Sequence, residues 1–345
     1  MAPERRDVGT AAVAEIRKLW QVDDEWSFDE DRGFSWWGQD YRQRIWSEPG
    51  FVDEGIEVFR LRAETDFIHR VDLPEDEVFS RLVAFNSFAS TSAMVFDPTQ
   101  KTIRLCSSMF VHEGTASWVP HTFSTAAIIQ PIEAQIRALK FTEVLGGEPD
   151  VSAHPESGHR SEMDDMLNII EHSYAPLGQE VPAWANSVEF EEAAAFFNKS
   201  NSFSTADKAG LTAEFAWGEN QTSMMTSVLD QPHPQLGNGV LTLLHLPLSL
   251  ESEASATLAG RLNQLEVNSV TRAHLLGAWC VEEVGGSHTG VFVSFIPNAM
   301  YKPGLLPQIL FTMGIRAGWA ATVLEPNAKS GSVIDIVSRR DFGVR

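Results

Sequence analysis

Two stretches of this chain follow one plan about 180 residues apart, and that repeat limits the fold more than any other feature. From Gly239 the order is a strand (GVLTLLHLPL), a helix (ESEASATLAGRLNQLEV), a hairpin turning at GGSH, and a closing helix (GLLPQILFTMGIRAGWAA). From Ile56 the order is IEVFRLRAE, PEDEVFSRLVAFNSF, a hairpin turning at DPTQ, and FSTAAIIQPIEAQIRAL. The apolar triplet Val78, Leu82, Phe85 matches Leu258, Leu262, Leu265 at an offset of 180. Trp37-Gly38 matches Trp217-Gly218 at 180, Val58-Phe59 matches Val240-Leu241 at 182, and Ile136-Arg137-Ala138 matches Ile315-Arg316-Ala317 at 179. The period is far longer than a solenoid repeat, so it predicts two domains of one fold in a chain of 345 residues.

Each half predicts the order α-β-β-β-α-β-β-α. Strands joined by hairpins and one crossing helix form a mostly antiparallel sheet, with the helices on one face. The fold class is therefore α+β with two similar domains. The first copy spans residues 1–145 and the second 187–325. Between them, 146–186 is a Gly-, Pro- and Ser-rich linker with a short helix over Met163–His172, and 326–345 is a C-terminal tail. Pro74 followed by Glu75, Asp76 and Glu77 marks a helix start, and Asp97-Pro98-Thr99-Gln100 a type I turn. Pro120 and Pro131 predict a late start or a kink in the helix over Ser117–Leu139.

Charge narrows the partners. Lys and Arg number 26 against 47 Asp and Glu, a net charge of −21, which repels nucleic-acid phosphates and anionic membrane surfaces. The stretch nearest to a membrane span, Leu305–Leu324, is interrupted by Pro307, Gln308 and Arg316. MAPERRDVGT lacks the apolar core of a signal peptide, and Cys106 and Cys280 make no CxxC, so the expectation is a cytoplasmic protein with two reduced, buried thiols.

The strand before Pro74, the helix bearing Leu82 and Phe85, the DPTQ hairpin and the Ile128–Leu139 helix, with their counterparts from Val240 to Ala317, resemble the secretion-chaperone-like fold. That fold is shared by type III secretion chaperones and YbjN-type proteins. The resemblance is one of pattern over about Thr10–Leu139 and Ser187–Leu324. It implies a protein that binds an unidentified protein or peptide client. Type III chaperones are single domains that pair as homodimers, so two copies on one chain imply a monomer with an internal pseudo-two-fold. The crossing helices, with Val78, Leu82, Phe85, Leu258, Leu262 and Leu265, are the candidates for the contact between the copies, or else core of each.

No catalytic, metal or cofactor site is expected. His112-Glu113 and His121 lack the HExxH spacing, and His154, His159 and His172 fall in the linker and are expected to be exposed. The acidic run from Asp23 to Asp31 lacks the spacing of a calcium loop. GGSHTG has no P-loop lysine, and neither a GxSxG elbow nor a GxGxxG after a strand occurs. The candidate partner-binding residues are tryptophans: Trp36, Trp37, Trp46 and Trp217. Adjacent Trp36 and Trp37 must point to opposite sheet faces, and one of those faces is expected to be open. The expected function is a non-enzymatic protein-binding or chaperone-like protein. The alternatives are a regulatory or structural interaction module, or an enzyme with a pocket between its domains.

Overall fold

The computed structural model describes residues 7–88, 91–167, 187–199, 204–207, 210–217, 221–233, 236–268 and 273–324. The chain begins with α1 (Val8–Leu19), β1 (Ser27–Glu30), β2 (Gly33–Trp37), β3 (Arg42–Ser47), β4 (Phe51–Asp53) and β5 (Ile56–His69). It continues with α2 (Glu75–Asn86), β6 (Ala93–Asp97), β7 (Thr102–Val111), α3 (Val119–Leu145) and β8 (Glu148–Pro149). The second half contains α4 (Ser187–Lys199), β9 (Ser204–Ala206), β10 (Gly210–Trp217), β11 (Gln221–His233), β12 (Gly237–His245) and α5 (Ser252–Asn268). It closes with β13 (Ala278–Val284), β14 (Ser287–Pro297) and α6 (Leu305–Leu324). The tail over 326–345, His172 and the rest of the segment from 168 to 186 lie outside the described residues.

The protein is mixed α+β with two antiparallel sheets. One has eight strands along the path β1-β2-β3-β5-β7-β6, with β4 and β8 pairing β5, and the other has six in the order β9-β10-β11-β12-β14-β13. Term for term the two paths are the same, so the two halves share one topology.

The residue-level match of the repeat is different. Asn86 and Asn263 are each the twelfth residue of their crossing helices, and each bonds both backbone groups of one residue in the next strand: Met94 (3.1 and 2.9 Å) and Trp279 (2.8 and 2.8 Å). That equivalence has an offset of 177, which sets Leu82 against Ala259 instead of Leu262. Trp217 shares the face of Phe215, which packs on Phe197 of α4, so its counterpart by face is Trp36, which packs on Trp20 at the C-cap of α1, and not Trp37. A slip of three residues keeps a helix's apolar face, so sequence matching does not see it; a slip of one in a strand exchanges the faces.

The chain divides into two compact units, Met1–Asp72 with Asp97–Ala175, and Leu73–Phe96 with Pro176–Arg345. The division is discontinuous where the sequence predicts contiguous domains. Its physical cause is that α2 packs against α5 inside the second unit.

In the first unit α1 and α3 cover one face of the sheet. Asp7 caps α1 by accepting from the Thr10 N–H at 2.9 Å. Helix α3 runs through Pro131 from Val119 to Leu145. Proline has no N–H for the Ala127 carbonyl one turn back, and Gln43 Nε2 donates to that carbonyl instead at 2.7 Å. Gln43, Thr65, Ser107 and Gln130 thereby form a buried polar seam between α3 and the sheet, with Gln130 Nε2 donating to Ser107 Oγ at 2.8 Å.

The expected linker begins as folded structure. Glu148 and Pro149 pair with His69 and Ile68, Asp150 N–H donates to Phe67 O at 3.0 Å, and Asp164 N–H to Gly38 O at 2.8 Å. His154, expected to be exposed, is buried: its Nδ1 accepts the Ser157 N–H at 3.1 Å and its ring meets Trp37 edge-on at 5.0 Å. Composition marks this segment as a loop, but its backbone finds partners on the sheet.

Candidate functional site

Trp36 and Trp37 do point to opposite faces, yet both are covered. Trp36 lies 5.3 Å from Trp20, while Trp37 donates to Ser152 Oγ at 3.0 Å beside His154. Trp217 is buried as well. None of these three rings is available to a partner, because α1, the folded segment after β8 and the second unit's own core take them first. Trp46 is half-buried, on the sheet face opposite α1 and α3, between two guanidinium groups: Arg44 at 4.4 Å and Arg62 at 4.9 Å from the ring centroid.

Those arginines belong to a lattice of ion pairs on that face. Glu30 meets Arg44 at 2.5 Å and Arg42 at 3.3 Å; Arg62 meets Glu48 at 2.9 Å and Glu64 at 2.5 Å; Arg104 meets Glu64 at 2.7 Å. The strand alternation explains the assembly: Arg60, Arg62, Glu64 and Asp66 are the even positions of β5, while Phe59, Leu61, Ala63 and Phe67 turn to the helices. Burial pushes the Asp66 carboxyl up to about 6, with Asp150 adding to the shift and Arg42 and Arg104 opposing it. Beside it, burial pushes the Cys106 thiol up strongly and the Cys280 thiol in the second unit up to about 12; both cysteines are buried and unpaired. Thiols held protonated in this way are poor nucleophiles.

The predicted crossing-helix residues lie on α2 and α5, two helices that pack against each other. Val78, Leu82, Leu258 and Leu262 are buried, and Phe85 and Leu265 are half-buried. The approach of α2 to α5 is close because Gly260 has no side chain: a Cβ there would lie 2.2 Å from Phe79 Cδ1. Around that point Arg261 pairs with Glu75 at 2.8 Å and Gln264 Nε2 donates to Phe96 O at 2.8 Å.

Behind α5 the second unit buries a charged group that the repeat pattern does not announce. Arg316 and Glu266 are 1% and 0% exposed, and Arg316 grips the carboxylate through Nη2 at 2.7 Å and Nε at 3.0 Å. Trp279 Nε1 donates to the other oxygen at 2.7 Å, the guanidinium lies 3.5 Å over Phe292, and Nη2 also donates to His274 O. The small space beside this network, about 10 Å³, is lined by His274, Ser294, Thr312 and Arg316 among others, and it has room for about one water. It is too small for an organic substrate.

In the first unit Arg17, Asp24, Ser27, Phe28, Asp29, His154 and Glu156 line an open acidic depression of about 530 Å³, with Arg17 bonded to Asp24 at 2.8 Å. Among the described residues no cluster of His, Cys, Asp and Glu is placed to hold a metal, and no helix is long and apolar enough to cross a membrane. His112 Nδ1 accepts the Gly114 N–H at 3.1 Å, closing a turn, and Gly285 and Gly286, at φ 61° and 83°, form the turn between β13 and β14.

The surface that sequence reasoning missed lies on the two closing helices. On α3, Ile136 is 51%, Leu139 74% and Val144 41% exposed; on α6, Ile315 is 45% exposed. Ile136 and Ile315 belong to the 179-residue match, so the signal was present in the repeat itself. Around Ile315 the outer face of α6 carries Phe311, Gly318, Trp319 and Thr322 with no charge, and the only charged residue of the helix, Arg316, turns inward. Phe311 extends the apolar surface to Phe196 of α4, 4.6 Å away and half-exposed.

The architecture thus defines a duplicated α+β protein with one exposed apolar position, Ile136 and Ile315, matched on its closing helices. No family model, curated protein or solved structure matches the chain.

Proposed function

We propose that this is a non-enzymatic, chaperone-like protein that holds an apolar segment of a protein client on the outer faces of its closing helices. The observation that carries this reading is the pair Ile136 and Ile315, which match in the repeat and are both exposed on helices of the same topological rank. Exposed apolar positions cost solubility, and their recurrence in both copies favours a binding role. An amphipathic client segment with basic residues fits best, because a net charge of −21 attracts basic chains and sets their approach. The resemblance to secretion chaperones supports the same reading. On that view the α2–α5 contact, one helix from each copy, replaces the interface that a homodimer makes between chains. Two unpaired cysteines fit a reducing compartment such as the cytoplasm.

The test is suppression of aggregation of a chemically reduced reporter, the insulin B chain, by the full-length protein. The wild type should slow light scattering at near-equimolar ratio. Ile136→Asp with Leu139→Asp, and Ile315→Asp, should each weaken the effect and together remove it. A wild-type protein without effect, or variants as protective as the wild type, would refute the reading.

A further inference from the structure

We propose that Asn86, Asn198 and Asn263 act as strand surrogates that close the edges of β6, β9 and β13 against pairing with another chain. These three are end strands in the two sheet orders. In an antiparallel ladder, a residue whose N–H and C=O both turn away from its neighbour presents them to the open edge, where an incoming strand would bond. At each edge one such residue is already bonded on both groups by an asparagine amide. Asn86 takes Met94 C=O at 3.1 Å and N–H at 2.9 Å. Asn263 takes Trp279 C=O at 2.8 Å and N–H at 2.8 Å. Asn198 takes Ser204 C=O at 3.2 Å and N–H at 3.0 Å.

The chemistry explains the choice of residue. A primary amide has the same donor and acceptor pair as a peptide unit, so one side chain can satisfy both edge groups. Each asparagine lies near the end of the helix that precedes its strand, 8 residues away for Asn86, 16 for Asn263 and 6 for Asn198. The same geometry therefore arises three times from the helix-to-strand connection. Gln264 extends the device on β6 by donating to Phe96 O, two residues beyond Met94 on the same edge, at 2.8 Å. The excluded partner is an extended segment of any chain, a second copy of this one included. Strand addition is thereby opposed at three of the four sheet ends, β1 being the fourth, and at β6 and β13 the edge is also covered by packing, with Asn86 and Asn263 2% and 1% exposed. The edge argument itself stands without the proposed chaperone role.

The experiment compares the full-length wild type with Asn198→Ala, with the double variant Asn86→Ala/Asn263→Ala, and with Val291→Ala, a truncation in an interior strand. Each is held at the same interval below its own unfolding midpoint, so that stability is matched. Size-exclusion chromatography with light scattering reads association, and the infrared amide band reads intermolecular β pairing. Both asparagine variants should move to larger species with new intermolecular strand signal, while Val291→Ala keeps the wild-type size. Asparagine variants that stay at the size of Val291→Ala would overturn the proposal and leave the amides a purely structural role. If the double variant does not fold, Asn198→Ala decides alone, since Asn198 is exposed and in the last turn of α4.

Discussion

Removing either member of the Glu266–Arg316 pair should destabilise the second unit far more than an ordinary core truncation. With Glu266→Ala the guanidinium keeps the Phe292 ring and the His274 carbonyl but loses its counter-charge, in a place where Arg316 is only 1% exposed. An unpaired buried charge costs about 3–5 kcal/mol. The lost acceptor of Trp279 Nε1 contributes to the same figure, since an orphaned buried donor costs about 1–3 kcal/mol. Arg316→Met should cost a similar amount, because the buried carboxylate then loses its counter-charge. The double variant Glu266→Leu/Arg316→Met removes both charges together. It should cost no more than either single change, a coupling of at least about 2 kcal/mol. Urea unfolding followed by hydrogen exchange of peptides from 252–324 measures this in the right unit. Single variants that each cost under about 1 kcal/mol, or a double variant equal to the sum of the singles, would refute the reasoning.

Gly260→Ala should loosen the α2–α5 contact, since the new methyl meets the buried Phe79 ring; the expected cost is about 1–3 kcal/mol, recovered in part by Phe79→Leu and read from the thermal midpoint. Asp66 takes up a proton more readily folded than unfolded, so between its unfolded value near 4 and its folded value of about 6 stability falls as pH rises. Asp66→Asn should therefore stabilise the protein at pH 8 by about 1–2 kcal/mol and give no gain below about pH 4, as denaturant midpoints across that range would show. Cys106 and Cys280 should resist a thiol reagent in the folded protein and both react on unfolding; fast native labelling of either would contradict their burial.

Periodicity and punctuation in the sequence determined much of this architecture. Alternation in β5, the Pro74 helix start and the DPTQ turn are local signals, each set by the geometry of a few neighbouring residues. The order of elements then followed from the repeat. What tertiary structure decided is of longer range. In sequence Trp36, Trp37 and Trp217 suit either a partner surface or the core, and it is tertiary packing by α1, the segment at His154 and the core around Phe197 that covers them. Pro131 does not end α3, because Gln43, 88 residues earlier, serves the carbonyl that proline leaves unbonded. Glu266 and Arg316 meet across 50 residues, and no local pattern could have paired them. The register of the repeat depended on the asparagine clamps, where side chains bond backbone and leave no trace in hydrophobic spacing. Local propensity depends on near neighbours, whereas burial and pairing depend on which distant residues arrive together.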